Sequence, residues 1–246
     1  LANMNATELC MQLAHPLRRN RELAKLRLMD MPKAEAISAI GNWINKLKRD
    51  DPKLEHKLFE AIGVFESHEA INLPLLKRLL TAKDYRARAY ATRVIGRWHH
   101  RLNDPLALLQ KSAMDEHPRV RLEAIVTASD IREADSIIIA AQAADGPEDR
   151  FITFAFNQTV HALADHWQPA LLSGSLKFNH SSHLVHVVST IGGDDVAGVI
   201  RQKLVDENLP PEETSILIAV LAGIGNSADA SLALKTGGDK PEVLKA

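Results

Sequence analysis

Two stretches of this chain repeat one pattern. Asp84-Tyr85-Arg86-Ala87-Arg88-Ala89-Tyr90-Ala91 is echoed 33 residues later by His117-Pro118-Arg119-Val120-Arg121-Leu122-Glu123-Ala124, so that Arg88 falls on Arg121 and Ala91 on Ala124. A period of this length marks stacked helical units, each of which buries its apolar face against its neighbours instead of inside one central core. The expected fold class is therefore all-α, an α-α superhelix of antiparallel helix pairs. The echo constrains architecture far more than it constrains function.

Composition agrees with stacking and excludes other classes. With aromatics at 4% and hydrophobic residues at 46%, the core has to be built from Ala, Leu, Ile and Val, which suit close helix-to-helix spacing. No run reaches the ~18 apolar residues that a membrane helix needs; Ser136 to Ala144 is too short. The single cysteine, Cys10, excludes internal disulfides and any metal or haem site built on a cysteine pair within these residues. The chain begins with Leu and no charged-then-apolar leader follows, so a segment of a longer polypeptide, or a processed product, is expected. The net charge is -1, yet residues 1–101 carry 19 Lys plus Arg against 11 Asp plus Glu, while residues 102–246 carry 11 against 20. Such an asymmetry shapes long-range fields and partner choice.

Start and stop signals place the helices. An opening pair, Thr7 to Leu13 and Pro16 to Leu28, is followed by Pro32 to Lys48 and by a helix from the Asp50-Asp51-Pro52 turn to about Phe65. Asn72 to Thr81 and Tyr85 to Arg101 form a short-long pair, as do Pro105 to Met114 and Pro118 to Ser129. Glu133 to Ala144, Pro147 to Ala164, a short element at Pro169 to Leu172, and Ser182 to Ile191 follow, the last stopped by Gly192-Gly193. Asp195 to Val205 and Pro211 to Ile224 make a further pair closed by Gly225-Asn226, and Ser227 to Lys235 is the last helix. The count is about thirteen helices in six to seven pairs. They make one repeat domain over residues 1–236, with a frayed tail over 237–246 after Gly237-Gly238. Ala87, Ala91, Val94, Ile95 and Trp98 share about 100° of one helix and are expected to face the core. Leu58, Ala91, Ala124 and Ala155, spaced 33, 33 and 31 residues apart, are expected to stack in one layer.

The leading functional candidates are Arg86, Arg93, Arg97 and Arg101. Their spacing of 7, 4 and 4 puts them within about 80° on one flank of the helix, a quarter-turn from its apolar face. Such a stripe suits acidic partners or phosphates, and His99, His100, Arg18, Arg19 and Arg21 extend it if the helices stack in register. The chain as a whole is not basic, and single-stranded nucleic acid would call for aromatics interleaved with the charge. His180, His183 and His186 suggest a metal, but on a helix the first and last stand about 240° apart and no carboxylate or cysteine lies nearby in sequence. His161 and His166, around Asp165, lack helical metal spacing as well. Cys10 reads as a buried, inert thiol beside Leu9 and Leu13. Gly192-Gly193-Asp194-Asp195 lacks the Gly-Lys-Ser/Thr ending of a phosphate loop, and no Gly-x-Ser-x-Gly elbow is present. Glu148-Asp149, Asp194-Asp195 and Glu212-Glu213 sit at helix starts, where the macrodipole accounts for them. No catalytic, cofactor-binding or metal-ligating set is expected within the chain.

Pro118-Arg119-Val120-Arg121-Leu122-Glu123-Ala124 resembles the HEAT-repeat signature of Pro, hydrophobic, Arg and Ala on a second helix. A wider resemblance runs from about residue 7 to 225. Its strongest parts are Asp51-Pro52-Lys53-Leu54-Glu55-His56-Lys57-Leu58-Phe59-Glu60-Ala61, Leu75-Leu76 to Leu80, Arg86 to Trp98, Asp115 to Ala124, and Thr159-Val160-His161-Ala162-Leu163 to Trp167. Together these are similar to the helical region of the large planctomycete-type membrane-bound dehydrogenases. In that family a sugar-dehydrogenase-like β-propeller precedes the HEAT region and a c-type haem domain with a Cys-x-x-Cys-His motif follows it. The resemblance implies a HEAT/armadillo-like linker or docking module from an extracytoplasmic bacterial protein, its redox chemistry carried by domains outside this chain.

Three functions are thus in view. The first is a non-catalytic scaffold that binds a protein or neighbouring domains of the same polypeptide. The second is a nucleic-acid-binding helical-repeat protein of the alkylpurine glycosylase kind, using the arginine stripe, with nucleic acid the less favoured partner. The third is an enzyme with a site assembled across repeats, which would show strongly shifted carboxylates in a cleft.

Overall fold

The computed structural model describes residues 1, 3–147, 149–191, 194–204, 211–224, 229, 231 and 232, and all regular structure among them is helical. The chain divides into two compact units, Leu1–Thr127 and Ala128–Ala246. The all-α class read from the repeat holds in both.

In the first unit the helices are α1 (Ala6–Gln12), α2 (Arg18–Met29), α3 (Lys33–Asn45), α4 (Leu54–Ser67), α5 (Leu73–Leu79), α6 (Tyr85–Trp98), α7 (Pro105–Ala113) and the greater part of α8 (Pro118–Asp130). Local chemistry starts most of them. Asn5 and Glu8 form a reciprocal capping box on α1, with bonds of 2.8 and 3.0 Å. Asn72, Asp84 and Asp104 accept from the first-turn N–H groups of α5, α6 and α7, with Pro74 and Pro105 where a missing N–H costs nothing. The second helices α2, α4 and α6 stack on one another, while α1 packs on α3 and α5 on both α4 and α6. Ala24, Leu58, Ala91 and Ala124 are all fully or almost fully buried, and the small side chains let successive second helices approach closely. The face expected on α6 is the buried one, Ala87, Ala91, Val94, Ile95 and Trp98. The run to Arg101 is not continuous α-helix: it tightens into a 3-10 turn at His99–Arg101, where His99 Nδ1 lies 2.7 Å from the Gly96 carbonyl. At the end of α4, Glu69 occupies the left-handed region with φ 48°. The Ala70 N–H returns there to the Phe65 carbonyl at 2.9 Å, a turn in which glycine is the usual choice.

The second unit contains α9 (Ser136–Ala144), α10 (Arg150–Ala162), α11 (Ala164–Leu172), α12 (Ser181–Ile191), α13 (Asp194–Leu204) and α14 (Pro211–Ile224). α12 packs on α9, α10, α13 and α14. The sequence predicts a helix ending at Ala164 and a separate short element from Pro169; the first helix does stop there, capped at Leu163, but the second begins at once and α11 runs through Pro169. Burial decides this, because Leu163, Trp167 and Leu171 are all inside and the Trp167 indole N–H donates to the Val160 carbonyl at 2.9 Å. Fourteen α-helices lie among the described residues. The layer of small residues also shifts here, since Ala155 is half-buried and Phe156, next to it, is fully buried. Glu148, the glycine pairs Gly192-Gly193 and Gly237-Gly238, the Gly225-Asn226 turn and the tail lie outside the described residues. Of the expected helix Ser227 to Lys235, Asp229, Ser231 and Leu232 are described, and they are helical.

Candidate interaction surface

The echo has a concrete chemical meaning. Arg21, Arg88 and Arg121 each stand early in a second helix, and each turns its guanidinium back to two carbonyls of the preceding turn. Arg21 Nη1 donates to His15 and Pro16, Arg88 Nη1 to Ala82 and Lys83, and Arg121 Nη1 to Asp115 and Glu116, at 2.9 to 3.1 Å. Each arginine thus closes its own helix pair by satisfying carbonyls that the turn leaves unpaired. Arg21 and Arg88 also reach forward. Arg21 Nε donates to Glu60 at 2.8 Å, and Arg88 grips Asp115 with Nε and Nη2 at 2.6 and 2.8 Å. Glu55, at the matching position of α4, works in the opposite sense, its carboxylate accepting the Lys83 and Asp84 N–H groups of the next turn at 2.9 and 3.0 Å.

A second layer of ion pairs runs along the same helices. Buried Glu60 on α4 is met by both Arg21 and Lys25 of α2, Lys25 Nζ lying 2.7 Å from Oε2. Buried Glu123 on α8 is met by Arg93 of α6 and by Arg119 of its own helix, each 2.7 Å from Oε1. With two cations for every buried glutamate, the surface these helices present keeps an excess of positive charge.

Between α4 and the C-terminal end of α6 lies a groove of about 500 Å³, lined by Gly63, Glu66, Ser67, Glu69, Tyr90, Arg97, Trp98 and Arg101. Tyr90 crosses it, donating its hydroxyl to Glu66 Oε2 and packing its ring 4.9 Å from that of Phe59. Burial, reinforced by the Glu66 carboxylate, pushes the phenol above its ordinary pKa. Gly63 eases the crossing, since a Cβ there would stand 3.3 Å from the Tyr90 hydroxyl, a tight contact. Arg97 Nε lies 3.7 Å from Glu66 Oε1, and Arg101 Nη1 donates to the Glu69 carbonyl at 2.8 Å. Residues 72–159 match the family of HEAT repeats. The chain therefore carries a HEAT-repeat region, and the echoed segments with their arginines fall inside it. A comparison of the sequence with curated proteins gives no significant match.

Two of the four candidate arginines, Arg97 and Arg101, line the groove, whose other wall, Gly63 to Glu69, lies before the matched residues. Arg93 is on the same flank but is engaged by Glu123. Arg86 stands at the far end of α6, its guanidinium 5.5 Å from the Tyr85 ring and 3.4 Å from Asp84. Arg18 pairs with Glu22 at 2.6 Å, so Arg18, Arg19 and Arg21 do not make one free cluster. Sequence reasoning missed Tyr90, although it lies on the arginine flank of α6, three residues before Arg93. It also missed Glu60, Glu66 and Glu123, whose roles appear only once neighbouring helices are placed side by side.

In the second unit the three histidines do not converge on one point: the His180 and His183 rings meet edge to face, 5.2 Å between centroids, while His186 packs elsewhere. His183 is buried, with Nε2 2.5 Å from Asp145 Oδ2, a carboxylate 38 residues away in sequence. His186 packs on Phe156 at 4.2 Å between ring centroids, and burial lowers its pKa. No cluster with metal-ligand geometry occurs among the described residues. Cys10 is fully enclosed and burial pushes its thiol up to about 11, the state expected of an inert core cysteine. Asp149 caps α10 through the Phe151 and Ile152 N–H groups. No described helix is long and apolar enough to cross a membrane.

Proposed function

We propose that this chain is a non-catalytic HEAT-type scaffold whose second-helix surface in the first unit docks a protein or a neighbouring domain. In this reading residues 1–236 form one repeat domain within a larger dehydrogenase-like polypeptide, and redox chemistry belongs to other domains. The observation that carries it is the layer of buried glutamates, Glu60 of α4 tied to α2 through Arg21 and Lys25, and Glu123 of α8 tied to α6 through Arg93. Tying α2 to α4 and α6 to α8 through buried carboxylates stiffens the platform, and rigidity lowers the entropic cost of holding a partner. The carboxyls held away from their ordinary pKa fit the same reading. Asp51 is lowered by Lys57, and Asp115 lies below its usual range through Arg88 and the His117 N–H, which outweigh its burial. Each pairs with a cation of the scaffold.

The test is cross-linking mass spectrometry on the polypeptide expressed with its flanking domains. Cross-links from those domains should concentrate on α2, α4 and α6. Cross-links scattered evenly over the chain, or none, would defeat the scaffold reading.

A further inference from the structure

We infer that the groove between α4 and α6 receives an aspartate or glutamate side chain from an extended segment of the docked protein, gripped by Arg97 and Arg101. The inference rests on the scaffold reading and names what its surface recognises. Arg97 is the more available of the two. Its side chain is 70% exposed, and its acidic neighbour Glu66, 3.7 Å away, has its other carboxylate oxygen occupied by the Tyr90 hydroxyl. Arg101 spends one nitrogen on the Glu69 carbonyl, while Nη2 is 4.0 Å from the Glu69 carboxylate, beyond a good hydrogen bond. Two guanidinium groups four residues apart at one groove therefore retain N–H donors for a bidentate acceptor. The Trp98 indole N–H, in a side chain 1% exposed that also lines the groove, has no acceptor among the described residues. A buried donor without a partner is uncommon, and beside a cavity it marks a place where a ligand carbonyl or carboxylate gains a hydrogen bond.

Charge balance selects the ligand. Glu66 and Glu69 sit in the same walls as Arg97 and Arg101, so the lining itself is neutral and the positive surplus comes from the surface around it, residues 1–101 carrying 19 Lys plus Arg against 11 Asp plus Glu. A single carboxylate suits it, whereas a doubly charged phosphate would meet repulsion from both glutamates. A nucleic-acid strand, with a phosphate at every nucleotide, would bring more than one charge against Glu66 and Glu69. Asp and Glu side chains spaced along a peptide place charge at the arginines and spare the glutamates.

The test is fluorescence anisotropy on the full chain at about 50 mM salt, where surface charge is weakly screened. The probes are fluorescein-labelled hexaglutamate, its hexaglutamine counterpart and an oligo-dT of similar charge. Hexaglutamate should bind saturably and hexaglutamine should not. The double variant Arg97→Glu with Arg101→Glu should weaken hexaglutamate binding by roughly tenfold or more, a ratio that corresponds to ~1.4 kcal/mol. Arg97→Gln alone should weaken it by about threefold while leaving the melting temperature unchanged, which guards against misfolding of the double variant. Arg86→Glu, on the same helix outside the groove, should have no effect. The inference is overturned if hexaglutamate fails to bind, if Arg86→Glu costs as much as the groove variants, or if oligo-dT binds more tightly and depends on the same arginines. Domain cross-links that persist while hexaglutamate fails would overturn the groove assignment and leave the scaffold reading standing.

Discussion

Arg88 and Arg121 stand at the same position of consecutive helix pairs and hold the same two carbonyls of their own turns, yet they differ in what lies ahead. Arg88 adds a bidentate bond to Asp115 of the next turn. Arg121 is 5% exposed, and its Nε has no acceptor among the described residues. The polar layer beside them differs too. Buried Thr92 of α6 bonds to Ser112 of α7 at 2.8 Å, while the residue 33 positions later, Ile125, is buried and apolar. The half of the device that closes a helix pair is therefore built into the repeat, whereas the half that joins one pair to the next depends on the acid or hydroxyl the following unit supplies.

The largest expected effect is from Arg88→Met. It removes two carbonyl bonds and leaves Asp115 nearly buried without its cation, at a cost of about 3–4 kcal/mol in the unfolding free energy measured by urea titration. Arg121→Met removes the same carbonyl bonds but strands no known carboxylate, so its cost should be about 1.5 kcal/mol. Equal losses for the two variants would break the comparison.

Acid titration reads the forward half directly. Burial pushes the Asp115 carboxyl up, but Arg88 and the His117 N–H outweigh it and leave the folded-state pKa lowered. A lowered carboxyl contributes stability above its unfolded value of ~3.9 and loses it as pH falls through the folded value. The wild-type advantage over Asp115→Asn in thermal midpoint should therefore be full near neutrality and shrink below about pH 4; a constant gap would show that the pair adds nothing through charge. Thr92→Val should cost about 1 kcal/mol by leaving the Ser112 hydroxyl without this partner. The smallest effect is expected from Arg86→Ala, within about 0.5 kcal/mol, because that side chain lies in solvent. A larger loss would mean that the first copy of the repeat relies on its stacking over Tyr85.

Much of the first unit was legible because short-range signals there agree. Asn72, Asp84 and Asp104 cap helices at or one residue before the expected starts, and the apolar face of α6 is the buried one. The second unit was less so. The end of α10 near Ala164 was legible, but the start of α11 was placed at Pro169 instead of Ala164, because it is set by Trp167 packing and bonding to Val160, a preference no local propensity encodes. The role of His183 was hidden for a similar reason, since the carboxylate that pairs with it arrives from Asp145 at the end of α9.

Period and patterning by themselves determined that this chain stacks helix pairs and that Arg88 and Arg121 recur, because a repeating unit must carry its own turn chemistry in every copy. The tertiary structure alone decided which arginines keep free donors. Arg93 and Arg97 share a flank, but Glu123 comes from the following pair to neutralise the first, while Tyr90 engages Glu66 of the preceding pair and leaves the second more exposed. Helical spacing fixes the direction a side chain takes from its own axis; its electrostatic state depends on helices that packing brings beside it.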